Sequence, residues 1–414
     1  MAGKDRGEAA GAGGAEAFRR RVFYIPGYDP FPPRRYRELY RSEGAGQARI
    51  SGYDLALAAP ARVPGETGYG WTVRSRIDGA VAEAQVEVLV WSDIVQASMG
   101  QGIAATYVQL LRTAWAYVGS GALFRLMGLR KGPMIAALYP IALLLAELAL
   151  ALAAGGVLAV LVGGRVPASV AAVIGVATVW AVLAGFRRLD RHVYAWYLMH
   201  DYAFTAAKGG AVPAVLAARM AAFADRIAAA LAEDWDEVLV VGHSSGAHLA
   251  ISVLADLIRA GRKPIKGPAL AFLSLGQVVP MVSFLPGAAQ LRADLAFLSQ
   301  SPDLTWVDVT APGDGCAFAL CDPVAVSGMA GPGKRWPLVL SAAFTRTLSP
   351  ERWQALRWRF FRLHFQYLCA FDRPGDYDYF RITAGPLTLA ARYAGRAPSK
   401  SRIETPLNRF GRAA

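Results

Sequence analysis

The sequence predicts an α/β protein, a mostly parallel sheet covered by helices and interrupted by a two-helix transmembrane hairpin. Three observations carry this expectation. Short apolar strands alternate with helical patterns along the second half of the chain, as in a parallel sheet covered on both faces. Two long stretches, Met134 to Val162 and Ala168 to Phe186, hold a single charge between them, Glu147. Mean hydropathy is +0.30 although the 414 residues include 44 Lys and Arg and 31 Asp and Glu, so the apolar content is concentrated in one segment of a soluble body. The same composition excludes a disordered or acidic solvating chain. The 42 Gly lack the three-residue period of collagen.

Residues 1–18, rich in Gly and Ala, lack the apolar core of a signal peptide and read as a disordered lead-in. Residues 19–103 form the first part of the soluble domain. There, Arg21 to Pro26 reads as a short buried strand stopped by Gly27-Tyr28-Asp29-Pro30. A basic aromatic stretch follows (Arg34, Arg35, Tyr36, Arg37, Tyr40), and Tyr69 to Ile77 and Val86 to Trp91 are two further strands. Residues 104–133 interleave Tyr107, Trp115, Tyr117 and Phe124 with Arg112, Arg125, Arg130 and Lys131, which predicts an amphipathic segment at a membrane interface.

Residues 134–186 are the hairpin. Each apolar stretch reaches the roughly 20 residues needed to cross a bilayer, and Gly163 to Pro167 is the turn. A membrane core leaves no water for backbone groups, so two antiparallel helices are the natural form. Arg125, Arg130 and Lys131 precede the hairpin and Arg187, Arg188 and Arg191 follow it, with only Arg165 in the turn. Positive-inside logic therefore places the soluble domain and both termini on the cytoplasmic side. The net charge of +13 would face an anionic inner leaflet, and no nucleic-acid-binding signature competes for it.

Residues 187–396 resume a soluble pattern, and 397–414 read as a loose basic tail. Helices are expected over Ala211 to Ala232, Ala247 to Ala260, Leu291 to Leu298 and Glu351 to Leu368. Strands are expected over Asp236 to Val241, Ala269 to Leu275 and Leu304 to Val309. Three Cys (Cys316, Cys321, Cys369) without CxxC spacing and five His without HExxH spacing give no disulfide scaffold and no metal site. No cofactor is implied.

The stretch that carries chemistry is Gly242-His243-Ser244-Ser245-Gly246, a G-x-S-x-G with an apolar strand entering and an apolar helix leaving. A nucleophile on so sharp a turn needs small neighbours, which Gly242 and Gly246 supply. Ser244 would project from the carboxyl edge of the sheet, and the Ser245 N–H would face a developing oxyanion. A Gly-Ser turn without chemistry is the bland alternative. His243 is the variable position of the motif and would pack nearby, and His248, four residues beyond Ser244, would point elsewhere.

In these residues the chain resembles the α/β-hydrolase superfamily, over about Arg21 to Trp91 and Ala211 to Phe380. The resemblance implies a triad in the chain order Ser, Asp or Glu, His. Only His364 lies downstream of both the elbow and the candidate acids, so it would be the base, although a lone His on an apolar helix is also a common core residue. Asp314, in a Pro-Gly-Asp-Gly turn, is favoured as the acid over Asp308, with Asp322 a third choice and more naturally a cap. A second oxyanion donor is implied at Tyr28, after the Gly27 turn. The expected function is a membrane-anchored serine hydrolase acting on a carboxylic ester, lipid-like or amphipathic. An acyltransferase or thioesterase using the same serine, or a non-catalytic membrane protein on this fold, are the alternatives.

Overall fold

In the computed structural model, which describes residues 16–62 and 68–411, the chain folds around one eight-stranded sheet. The first part contributes β1 (Phe18–Ile25), α1 (Arg34–Ser51), β2 (Asp54–Arg62), β3 (Gly68–Ile77), β4 (Ala80–Leu89) and α2 (Ser92–Met99). Next come α3 (Ile103–Gly119), α4 (Ala122–Leu129), the long helices α5 (Lys131–Gly163) and α6 (Ala168–Val193), and α7 (Ala195–Ala206). The chain then returns through α8 (Ala214–Leu231), β5 (Glu237–His243), α9 (Gly246–Arg259), β6 (Ala269–Leu275) and α10 (Val279–Ser283). α11 (Ala289–Leu298), β7 (Thr305–Thr310) and β8 (Leu338–Ser341) follow.

The strand order is β2-β3-β4-β1-β5-β6-β7-β8, antiparallel from β2 to β4 and parallel from there on. Period-two alternation divides the core. Phe23, Val238, Val240 and Phe272 face α8, α9 and α11, while Val22, Tyr24, Leu239, Val241 and Leu273 face α1 and the C-terminal segments. Strands buried on both faces need the near-continuous apolar runs these residues supply. β1 and β5 lie side by side, and the helices that follow them, α1 and α9, cover opposite faces. That makes the β1/β5 seam the switch point of the sheet, where a crevice opens beyond the carboxyl ends of the strands.

α5 and α6 are both long and apolar enough to cross a membrane, and only 17% of the most apolar window of each is buried within the chain. They meet where Gly155 and Gly175 come together, since a Cβ on Gly155 would lie 2.6 Å from the Gly175 carbonyl oxygen. Glu147 is buried and accepts a hydrogen bond from Trp196 Nε1 at 3.1 Å, which gives the one acid of the apolar stretch a partner. The expected interfacial segment forms α3 and α4. α3 exposes Val108, Leu111, Trp115 and Val118 at helical spacing, and α4 adds Phe124 and Met127.

Several expectations need correction. Most of the expected lead-in, residues 1–15, lies outside the described residues, and Phe18 already opens β1. The basic aromatic stretch is the start of α1, whose Tyr36 and Tyr40 are buried. β2 was not anticipated. The single helix expected over Glu351 to Leu368 is broken near Arg359, so that Leu363, His364 and Tyr367 turn inward over the sheet. The C-terminal tail is not loose up to residue 411: Ser399 N–H donates to Val339, Ile403 N–H to Leu320, and Ile403 and Leu407 pack on the core beside α4. Those two apolar residues, spaced four apart among the cations, hold it down.

Candidate active site

β1, β5, β6 and β7 run parallel, so the loops that follow them emerge on one edge. β1 pairs with β5 through Ile25 and Gly242, and β5 with β6 through His243 and Leu275. Continuing these registers brings Gly27 and Gly276 to either side of Ser244. A Cβ on Gly27 would lie 2.9 Å from Ser244 Cβ. Ser244 N–H donates to the Leu275 carbonyl at 2.9 Å, and Ala247 N–H closes the turn on the Ser244 carbonyl at 3.1 Å.

The turn is strained. Ser244 has φ +56°, in the left-handed region that side chains with a Cβ seldom enter. Gly246 permits it, because a Cβ there would sit 2.1 Å from the Ile25 carbonyl oxygen. Gly242 makes a similar allowance against Ala247 Cα at 2.8 Å. Ser244 itself is half-buried.

His364 arrives from the far end of the chain. Its Nδ1 lies 2.7 Å from Asp314 Oδ2, and both residues are buried. The carboxylate can only accept, so Nδ1 carries the hydrogen and Nε2 keeps its lone pair. Nε2 is buried and has no hydrogen-bond partner among the described residues. The ring packs on Gly276, whose Cβ would lie 3.1 Å from His364 Cε1. Ser244 and His364 therefore both lie against the dipeptide Leu275-Gly276, and no hydrogen bond joins them among the described residues.

Asp314 is held on both oxygens. Oδ1 accepts from Cys316 N–H at 2.9 Å, and Oδ2 also accepts from the Tyr367 hydroxyl at 3.0 Å. Burial pushes this carboxyl up, but attraction to the imidazolium form of His364 and the hydrogen bond to that ring outweigh it, with help from the Cys316 amide and Tyr367, and bring it below its ordinary range. Asp308 is elsewhere, bonded to Ser274 Oγ at 2.5 Å, and burial raises it to about 8. Asp322 caps a short helix through Val324 and Ala325 and pairs with Lys334 at 2.6 Å. Of the three acids, the structure brings Asp314 to His364.

His243 lies under the site. Its Nε2–H donates to the His364 carbonyl at 3.0 Å, the two rings are 4.8 Å apart, and burial lowers it to about 3. The backbone amides of Ser245 and Tyr28 donate to no other group among the described residues. Both residues border a cavity of about 230 Å³, which also touches Trp91, Asp201, Phe204 and His248. His248 does not point away, as the sequence suggested, because the first turn of α9 faces this cavity. Burial lowers it to about 4.

Two residues at the site have no role there in the sequence reading, which places Tyr367 in an aromatic run beside His364 as core packing or an acyl-chain wall. Tyr367 lies three positions after His364, and that spacing was its only signal. Asp201, the one acid in the aromatic helix α7, had none that pointed to the elbow. The Asp314 carboxylate, the Cys316 thiol and a His364 nitrogen also lie within 4.8 Å of one another, a spacing a metal ion could use. The Asp314–His364 hydrogen bond occupies two of these groups, and burial holds the thiol well above its usual range, which opposes the thiolate a metal requires. No family model, curated protein or solved structure matches the chain.

Proposed function

We propose that this protein is a membrane-anchored serine hydrolase of the α/β-hydrolase type, which cleaves a carboxylic ester through an acyl-enzyme. Ser244 Oγ bonds to the ester carbonyl carbon while His364 Nε2 takes its proton. The oxyanion so formed is met by the Ser245 and Tyr28 amides. On collapse the ester C–O bond breaks and the imidazolium returns its proton to the departing alcohol. Water repeats the sequence on the acyl-enzyme and releases the acid. Asp314 fixes the imidazole tautomer and offsets its charge.

The observation that carries this reading is the 2.7 Å Asp314–His364 bond beside the strained Ser244 turn, with Nε2 left free to accept. The hairpin and the outward apolar stripe of α3 support a place at a membrane, with α5 and α6 spanning it and the cations at their bases on the cytoplasmic side. An amphipathic or lipid-like ester fits that location.

The test is labelling with a fluorophosphonate probe. Wild type should be labelled on Ser244, and Ser244→Ala should not. Hydrolysis of short acyl esters should fall by roughly 10³-fold or more in Ser244→Ala and His364→Ala. Undiminished labelling of Ser244→Ala would refute the assignment.

A further inference from the structure

The cavity that meets the elbow has an unusual charge content for so basic a chain. Neither Lys nor Arg lines it among the described residues. Burial keeps His248 neutral at pH 7. The remaining acid is Asp201, half-buried at the cavity wall. Among the described residues no ion pair engages it, since His364 pairs with Asp314 instead. No hydrogen bond within the described residues holds its carboxyl. Burial accordingly raises Asp201 to about 7, as expected of a carboxyl given no partner by its own protein.

Three aromatic rings border the same space. Tyr28 and Phe204 have ring centroids 5.7 Å apart, and Trp91 lies 6.1 Å from each, so the three pack on one another as one aromatic wall. Aromatic faces attract a cation that comes within about 6 Å of the centroid, and the gain grows when water is excluded. The cavity of about 230 Å³ is smaller than the roughly 300–1,000 Å³ of a pocket for a drug-sized ligand, which suits a small group. A short chain ending in a methylated ammonium is such a group.

We infer that this cavity is a subsite for a compact ammonium group of the substrate, held by Asp201 against the aromatic wall of Tyr28, Trp91 and Phe204. The inference rests on the hydrolase reading for its link to catalysis, since the subsite joins the reacting centre at Ser245 and Tyr28. Binding of the cation does not depend on that reading. Asp201 is a specificity-determining residue here. A bound cation favours its charged form, which no other side chain of the cavity compensates and which repels free carboxylates and phosphates.

The experiment compares choline with 3,3-dimethylbutan-1-ol, its uncharged carbon isostere. Binding to the full-length protein in detergent micelles is followed by tryptophan fluorescence, because Trp91 lines the cavity. Wild type should bind choline at least tenfold more tightly than the alcohol, and Asp201→Asn should narrow that ratio to below threefold. Ser244→Ala should bind choline as wild type does. A wild type that fails to prefer choline overturns the inference without any variant, and so does an Asp201→Asn protein that keeps the full preference. Failure of fluorophosphonate labelling would sink the hydrolase reading alone and leave the choline measurement standing.

Discussion

Removing one oxygen, in Tyr367→Phe, tests the site most sharply. The Tyr367 ring is fully buried against Phe344, with centroids 4.9 Å apart, so phenylalanine fits the same space. Its hydroxyl donates to Asp314 Oδ2 and accepts from the Ala311 amide at 2.9 Å. The substitution therefore deletes a hydrogen bond to a charged group, about 1.5–3 kcal/mol, and strands a buried N–H, about 1–3 kcal/mol. Both losses stem from one atom and are not independent, so about 2–4 kcal/mol of stability should disappear. Asp314 also loses one of the donors that lower it and hold its orientation. If His364 is the base, kcat on a short ester should fall roughly tenfold, by about 1.4 kcal/mol, with KM little changed. Urea unfolding in micelles, followed by tryptophan fluorescence, reads the first quantity, and steady-state kinetics the second. A variant that unfolds at the wild-type urea concentration with wild-type kcat would refute the proposed bridging role of this hydroxyl.

Gly246→Ala would press a methyl group to 2.1 Å from the Ile25 carbonyl, backbone against backbone, and should cost at least about 3 kcal/mol in the same unfolding assay; a wild-type midpoint would contradict the packing of α9 on β1. His243 is buried neutral, lowered from 6.5 to about 3. The unfolded chain therefore binds a proton that the folded one refuses, and stability falls as pH drops below 6.5. Between pH 7 and 5 wild type should lose about 2 kcal/mol more than His243→Gln, and parallel pH profiles would show the imidazole to be solvated instead. Gly155→Leu should force α5 and α6 apart at Gly175 and lower the melting temperature of the helical circular dichroism signal. Labelling of Ser244 should persist in that variant, and an unchanged melt would mean the helices do not cross there.

Much of the architecture was legible because its signals are local. Period-two and period-3.6 patterns marked β5, α9, β6 and α11, and hydropathy marked α5 and α6. The elbow was readable because strand, turn and helix are contiguous around Ser244. α1 and β2 were missed for the opposite reason. Arg-rich α1 buries only a few residues such as Tyr36 and Tyr40, and β2 is an edge strand with a neighbour on one side only.

What the sequence determined by itself, then, is the G-x-S-x-G turn between strand and helix, the apolar hairpin and the strands that flank the candidate site. Each of these is encoded by neighbours along the chain. Tertiary structure decided that Asp314 rather than Asp308 meets His364, that Tyr367 braces both, and that Asp201 and His248 share a cavity with Ser245. Residues as distant in sequence as Asp314 and His364, or Tyr28 and Ser245, come together only because parallel strands deliver their loops to one edge. Which loops become neighbours depends on the strand order and on the break near Arg359, and a one-residue shift in any register would exchange the side chains facing the site.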